Sequence, residues 1–255
     1  MSPRAVLIIV TAGLCAAAPG AAADCQRPLS AVVPAGGASL PPNPVLYLFT
    51  PGSGRASDLR VSDADDRPVS FTMRRLPGPD AFQVHLVRVK AKAGTRLIVR
   101  PSRLDYDRVS RYLVADTWRR PSKARVTIDR VQTHSLPETC RGYVTRDLVV
   151  RRLAPAYRVE WAASAEDYRA GERRSLVLPF SLLELGPATK RQTRFALLEL
   201  GDPHCLGQTF VWGRQPVFVG VAALHADGSE DPPPEQPTRV TPPPKHRRRT
   251  PCVAP

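Results

Sequence analysis

Cys140 and Cys205 are the residues whose types and surroundings most readily do chemistry: His134 lies six residues before the first, and His204 stands beside the second. Thiolates and imidazoles brought together bind zinc. With the carboxylates Glu138 and Asp202 they would also supply the convergent polar groups of a catalytic pocket. Zinc sites, however, usually present close ligand pairs such as C-x-x-C, and the chain has none. A disulfide needs no such spacing. Setting aside Cys15, which falls in an expected leader, Cys25, Cys140, Cys205 and Cys252 form an even set, as an oxidising compartment favours. Four cysteines admit three pairings. The pairing expected is Cys140 with Cys205 inside one module and Cys25 with Cys252 across the termini. By loop entropy the first would contribute about 4 kcal/mol. No metal site is expected.

Asp63, Asp65 and Asp66 carry the oxygen-rich spacing of a calcium loop, but no glycine and no later glutamate completes an EF-hand pattern. A solvated hairpin turn between two strands is the expected form. Catalytic signatures are absent: no H-E-x-x-H, no G-x-S-x-G, no Walker loop and no G-x-G-x-x-G. A non-enzymatic protein without cofactor is therefore expected, with an enzyme of unrecognised class as the alternative.

Charge is the other chemical feature. Lys and Arg number 37 against 23 Asp and Glu, a formal charge of +14, and nearly all the cations are arginine. Guanidinium forks suit phosphate and carboxylate, so lipopolysaccharide, teichoic acid or an acidic polysaccharide would be fitting partners. Arginine with alanine, proline and glycine is equally the signature of GC-rich codon use. Arginine pairs such as Arg74-Arg75 and Arg151-Arg152 are scattered and lack interleaved aromatics, so no stacking platform for single strands is present. The dense patch is Lys245, Arg247, Arg248 and Arg249, a candidate contact with an anionic surface.

The elements that must position these residues follow from the turn signals. Residues 1–23 read as a secretory leader: Arg4, an apolar run from Ala5 to Ala18, and the small triplet Ala21-Ala22-Ala23 before Asp24. The run is too short to span a bilayer, no other candidate span exists, and a periplasmic or extracellular location is expected. The 28 prolines exclude a mostly helical chain. From Leu40 to Trp118, apolar runs at Val45–Thr50, Leu59–Ser62, Val69–Arg74, Phe82–Lys90, Thr95–Arg100 and Tyr112–Ala115 predict six strands. A second series follows at Ala124–His134, Tyr143–Arg151, Tyr157–Ala162, Ser175–Pro179, Thr193–Leu200, Thr209–Trp212 and Val217–Leu224. Alternation is clearest where Tyr157, Val159 and Trp161 face one way and Arg158 and Glu160 the other. Ala163 to Arg173 reads as a loop or short surface helix. Residues 231–255, with nine prolines, predict an extended tail that buries no apolar surface.

Two sets of six and seven strands predict an all-β chain of two tandem β-sandwiches, at residues 28–118 and 122–230, with a disordered Pro/Arg-rich tail at 231–255. In the first, Pro42-Asn43-Pro44 leading into Val45-Leu46-Tyr47-Leu48-Phe49, with the closing Leu97-Ile98-Val99-Arg100-Pro101 and Tyr112-Leu113-Val114, resembles bacterial Ig-like modules. The second, through Tyr157-Arg158-Val159-Glu160-Trp161 and Val217–Leu224 followed by Asp227-Gly228-Ser229, is similar to fibronectin type III or Ig-like modules. The antibody pattern is not met, since Trp161 lies too far beyond Cys140 and Pro203 takes the tyrosine-corner position. Copper carriage of the kind some Ig-like modules perform would need a methionine cluster, and the chain has Met1 and Met73 alone. The resemblance implies a non-catalytic module, structural or binding, at the cell envelope or outside the cell. Its partner would be an anionic envelope polymer or another envelope protein, and no physiological nucleic acid. An accessory subunit of a secreted complex is a further alternative.

Overall fold

β-Branched and aromatic runs favour the pleated backbone, and the prolines, glycines and aspartates between them cannot extend it, so strands succeed one another at short intervals. The computed structural model describes residues 31–34, 36–51, 56–78, 82–101, 109–119, 126–136, 143–151, 154–178, 195–201 and 212–243. The chain is all-β. Strands run in the order β1 (Ala31–Val33), β2 (Ser39–Leu40), β3 (Val45–Pro51), β4 (Arg60–Asp63), β5 (Phe71–Leu76), β6 (Phe82–Val89), β7 (Arg96–Arg100) and β8 (Ser110–Val114). Then follow β9 (Thr127–Leu136), β10 (Tyr143–Arg151), β11 (Ala156–Ala162), β12 (Arg174–Leu178), β13 (Phe195–Gly201), β14 (Val217–Leu224) and β15 (Thr238–Val240). Among the described residues the helical elements are one 3-10 turn, Ala56–Asp58, and one α-helix, α1 (Ala165–Ala170). None of these is long and apolar enough to cross a membrane.

The strands form four sheets: sheet I, β2-β8-β7-β4; sheet II, β1-β3-β6-β5; sheet III, β12-β11-β14-β15; and sheet IV, β13-β10-β9. Pairing is antiparallel except between β2 and β8. Sheets I and II face each other across Leu46, Leu48, Val61, Val87, Leu97, Val99 and Val114. Sheets III and IV do the same across Leu148, Val150, Tyr157, Val159, Leu176, Leu198, Val219 and Val221.

The two pairs are not beads on a string. Val45, Tyr47, Phe49 and Val84 leave the back of sheet II and meet Ala156, Val177 and Leu224 on the back of sheet III, making a third buried cluster. The layers therefore stack as I, II, III, IV, and the central strands of the two inner sheets, β3 and β14 among them, are covered on both faces. This explains why β3 reads Val-Leu-Tyr-Leu-Phe and β14 reads Val-Phe-Val-Gly-Val-Ala-Ala-Leu with no polar alternation. Both faces must be apolar or small. Backbone bonds reinforce the junction: Val45 N–H donates to Ala226 O at 2.6 Å, and Val177 N–H to Pro77 O at 2.8 Å.

Three expectations change. β1 and β2 are strands of three and two residues, too short to leave a periodic trace. The polar face of β11 is not open to water: Glu160 is only 9% exposed, because α1 and the chain at 230–234 cover it. Residues 231–243 are not a free tail. Asp231 is 3% exposed, and β15 pairs with β14 and buries Val240 to 1%. Pro237 and Pro242 bracket the Thr-Arg-Val triplet without entering it, which lets a short edge strand form between prolines. The second module thus continues past Glu230, and residues 244–255 lie outside the described residues.

Candidate binding groove

At the free edge of sheet I the chain leaves β4, turns, and crosses to sheet II. The turn is held by Asp63, whose Oδ1 accepts from the backbone N–H of Asp65 at 2.9 Å and of Arg67 at 3.0 Å, while Oδ2 accepts from Arg67 Nε at 2.8 Å. Partial desolvation pushes the Asp63 carboxyl up, but the hydrogen bonds from Arg67 and Asp65 prevail and hold it below the usual carboxylate range. The aspartate run is thus a self-capped hairpin turn, with Arg67 also paired to Asp65 at 2.6 Å. Among the described residues no group of three or more His, Cys, Asp and Glu is arranged to hold a metal ion.

Beside this turn lies a groove of about 700 Å³. Leu59, Val61, Val69 and Phe71 give it an apolar floor, continuous with the core of sheets I and II. Its polar rim includes Arg60 and Arg100, which stand directly opposite each other on β4 and β7. Side chains at such positions start about 5 Å apart on one face of the sheet. Arg100 Nη1 donates to Asp66 Oδ1 at 3.2 Å, and Ser62 Oγ donates to the same oxygen at 3.2 Å. Asp66 is held in the left-handed region at φ 59, and its side chain is 76% exposed against 38% for Arg100. Asp58 and Asp66 line the groove as well, so its two arginines are matched by two carboxylates, and an extended anionic ligand would have to take the place of one of them.

A second cluster of charge lies at the back of sheet III. Glu160 Oε2 accepts from Arg173 Nη1 at 2.8 Å, and Glu160 Oε1 lies 3.1 Å from Arg158 Nε. Arg158 also pairs with Glu230, and Arg173 stacks on the Tyr168 ring at 4.8 Å from its centroid. Burial pushes the Glu230 carboxyl up, and Glu160 adds to the rise against the pull of Arg158. His225 and Asp231, each 3% exposed, meet through Nε2 and Oδ1 at 3.1 Å. Tyr47 Oη donates to His225 O, and burial raises the Tyr47 phenol. These groups neutralise one another inside the junction, and their partners are protein atoms. The cluster is a structural clasp.

Of the residues singled out from the sequence, His134 lies on β9 opposite Thr145. Glu138, Cys140, Asp202, His204 and Cys205 lie outside the described residues, as do Cys25, Cys252, Lys245, Arg247, Arg248 and Arg249. The groove residues Arg60, Asp66 and Phe71 were not recognisable as a group, because the register that sets Arg60 against Arg100 is not written in either strand alone.

No protein-family model matches the chain, and no curated protein does. Among solved structures, a pullulanase from Anoxybacillus sp. LM18-11 complexed with maltotriose aligns with 74% of this chain and 24% of its own, at 8% identity and a TM-score of 0.23. Pullulanase type I from Bacillus subtilis str. 168 complexed with maltose aligns with 75% of this chain and 23% of its own, at 8% identity and a TM-score of 0.21. The chain spans about a quarter of the length of these enzymes, and a likeness of this size transfers neither a site nor an activity.

Proposed function

We propose that the protein is an exported, non-enzymatic β-sandwich protein that attaches to an anionic polymer at the cell envelope or outside the cell. The observation that carries this reading is the cross-strand pair Arg60 and Arg100 at the rim of an apolar-floored groove. A chain charge of +14 would steer polyanions toward it at low ionic strength. The basic run Lys245, Arg247, Arg248 and Arg249 begins two residues after Pro243, the last described residue, and adds a second cationic contact in this reading.

The modules themselves are of a kind that serves attachment. The order β1-β3-β6-β5 facing β8-β7-β4 parallels the ABED and CFG sheets of constant-type immunoglobulin domains, which supports an Ig-like first module. The order β9-β10-β13 facing β12-β11-β14-β15 parallels the ABE and C′CFG sheets of fibronectin type III, which supports that reading of the second. Such sandwiches present ligands with edges and loops on a rigid frame.

The test is co-sedimentation of the protein, without residues 1–23, with anionic and neutral envelope polymers at low and high salt. Three proteins are compared: the parent, Arg60→Gln/Arg100→Gln, and a version ending at Pro243. Salt-sensitive binding that the double substitution weakens supports the reading. Equal binding to neutral polymer, or none to any anionic polymer, overturns it. A version ending at Glu230 is unsuitable because it removes β15.

A further inference from the structure

The groove already holds an anion of its own. Asp66 places one carboxylate oxygen within 3.2 Å of both the Arg100 guanidinium and the Ser62 hydroxyl. That oxygen takes two donors from two different strands, β4 and β7, as a bound carboxylate from outside would. Yet its attachment is loose: the Asp66 side chain is largely exposed, and a surface ion pair of this kind contributes little.

From this we infer that Asp66 is a built-in competitor occupying a carboxylate subsite, and that the ligand of the groove is a carboxylate-bearing polysaccharide. The inference rests on the attachment reading above and names its ligand. Displacing Asp66 frees Arg100 Nη1 and Ser62 Oγ, two donors that a sugar carboxylate can accept from. Arg60, which lines the groove from β4, takes a second acidic group or ring hydroxyl. Phe71 and Val69 offer an apolar surface against which the non-polar face of a pyranose ring packs. The volume, about 700 Å³, suits several linked rings rather than a lone ion. Asp58 lines the groove too, so with Asp66 in place the two arginines are matched by two carboxylates when the groove is empty.

The experiment is titration of the full chain with a polyuronate, a poly(glycerol phosphate), poly-glutamate and a neutral dextran by calorimetry. The parent, Asp66→Asn, Arg100→Gln and Asp66→Asn/Arg100→Gln are compared, with Asp116→Asn as a variant of equal charge change at an exposed position outside the groove. Asn tolerates the left-handed backbone at position 66 and keeps an acceptor for Ser62, so the fold is preserved. Asp66→Asn is expected to bind polyuronate about two- to fivefold more tightly, the factor a weak surface pair represents. The gain should vanish when Arg100 is also replaced and should not appear with Asp116→Asn. An unchanged affinity, or a gain that survives loss of Arg100, overturns the competitor role while leaving attachment intact. A larger gain for the phosphate polymer or for poly-glutamate overturns the ligand class. Absence of binding to every anionic polymer by every variant overturns the attachment reading itself.

Discussion

Val45 and Ala226, far apart in sequence and on opposite modules, are joined by a 2.6 Å hydrogen bond from the Val45 amide to the Ala226 carbonyl. Ala226 itself packs into the core between sheets I and II, although it belongs to the turn after β14. The turn is shaped for this: Gly228 adopts φ 79, and a Cβ there would lie 3.0 Å from Val45 Cγ2. One module's turn thus completes the other's core, and coupled folding is the consequence.

Leu224→Ala removes a side chain from the cluster between sheets II and III and should destabilise by about 2–5 kcal/mol. Both modules should lose stability together. Denaturant unfolding followed by hydrogen exchange checks this: protection must fall in β3 as well as in β11, whereas a loss confined to sheets III and IV would show independent modules.

Gly220 on β14 lies under the Tyr168 ring, and a Cβ built there would collide with Tyr168 Oη and lie 2.9 Å from Pro234 Cγ. Gly220→Ala should therefore displace α1 and destabilise by about 1–3 kcal/mol. Combining it with Tyr168→Ala should cost less than the sum of the two single changes, a coupling that a double-mutant cycle of thermal melts measures.

Much of this was legible in the sequence and some was not. The apolar runs and their turn residues marked most of the strands, and Tyr157, Val159 and Trp161 were correctly placed on one face, since the two-residue period is local. The packing of sheet II on sheet III was signalled only indirectly, by Val45 to Phe49 and Val217 to Leu224 lacking alternation. Asp231 and Val240 were read as tail because nine prolines outweigh one triplet with two β-branched residues in composition, although a three-residue edge strand needs no more. The groove depends on the pairing of Arg60 with Arg100 and on an Asp66 that reaches back to β7, both set by tertiary register rather than by spacing.

Glu160 holds two arginines, so Glu160→Gln leaves Arg158 and Arg173 close together beneath α1 with one carboxylate fewer. A loss of about 1.5–3 kcal/mol is expected, the range for hydrogen bonds to charged groups. High salt should not restore it, because the site is largely covered; full recovery in salt, followed by melting temperature, would contradict the clasp.

His85 on β6 is 8% exposed, and its Nε2 has no hydrogen-bond partner among the described residues. Burial, then Arg75, holds its imidazole below the usual value of 6.5. The unfolded chain therefore takes up this proton first as pH falls, so stability is full above about 6.5 and declines as pH drops from there through the folded value. His85→Phe should flatten that decline relative to the parent in melts recorded between pH 5 and 8, and an unchanged difference across that range would contradict it.

The most direct test of the central claim is hydrogen exchange of the full chain with and without saturating acidic polysaccharide. The account predicts slowed exchange that is greatest at Asp58–Phe71 and along Arg96–Arg100. Protection confined to sheets III and IV, or none at the groove while the polymer is bound, would contradict it.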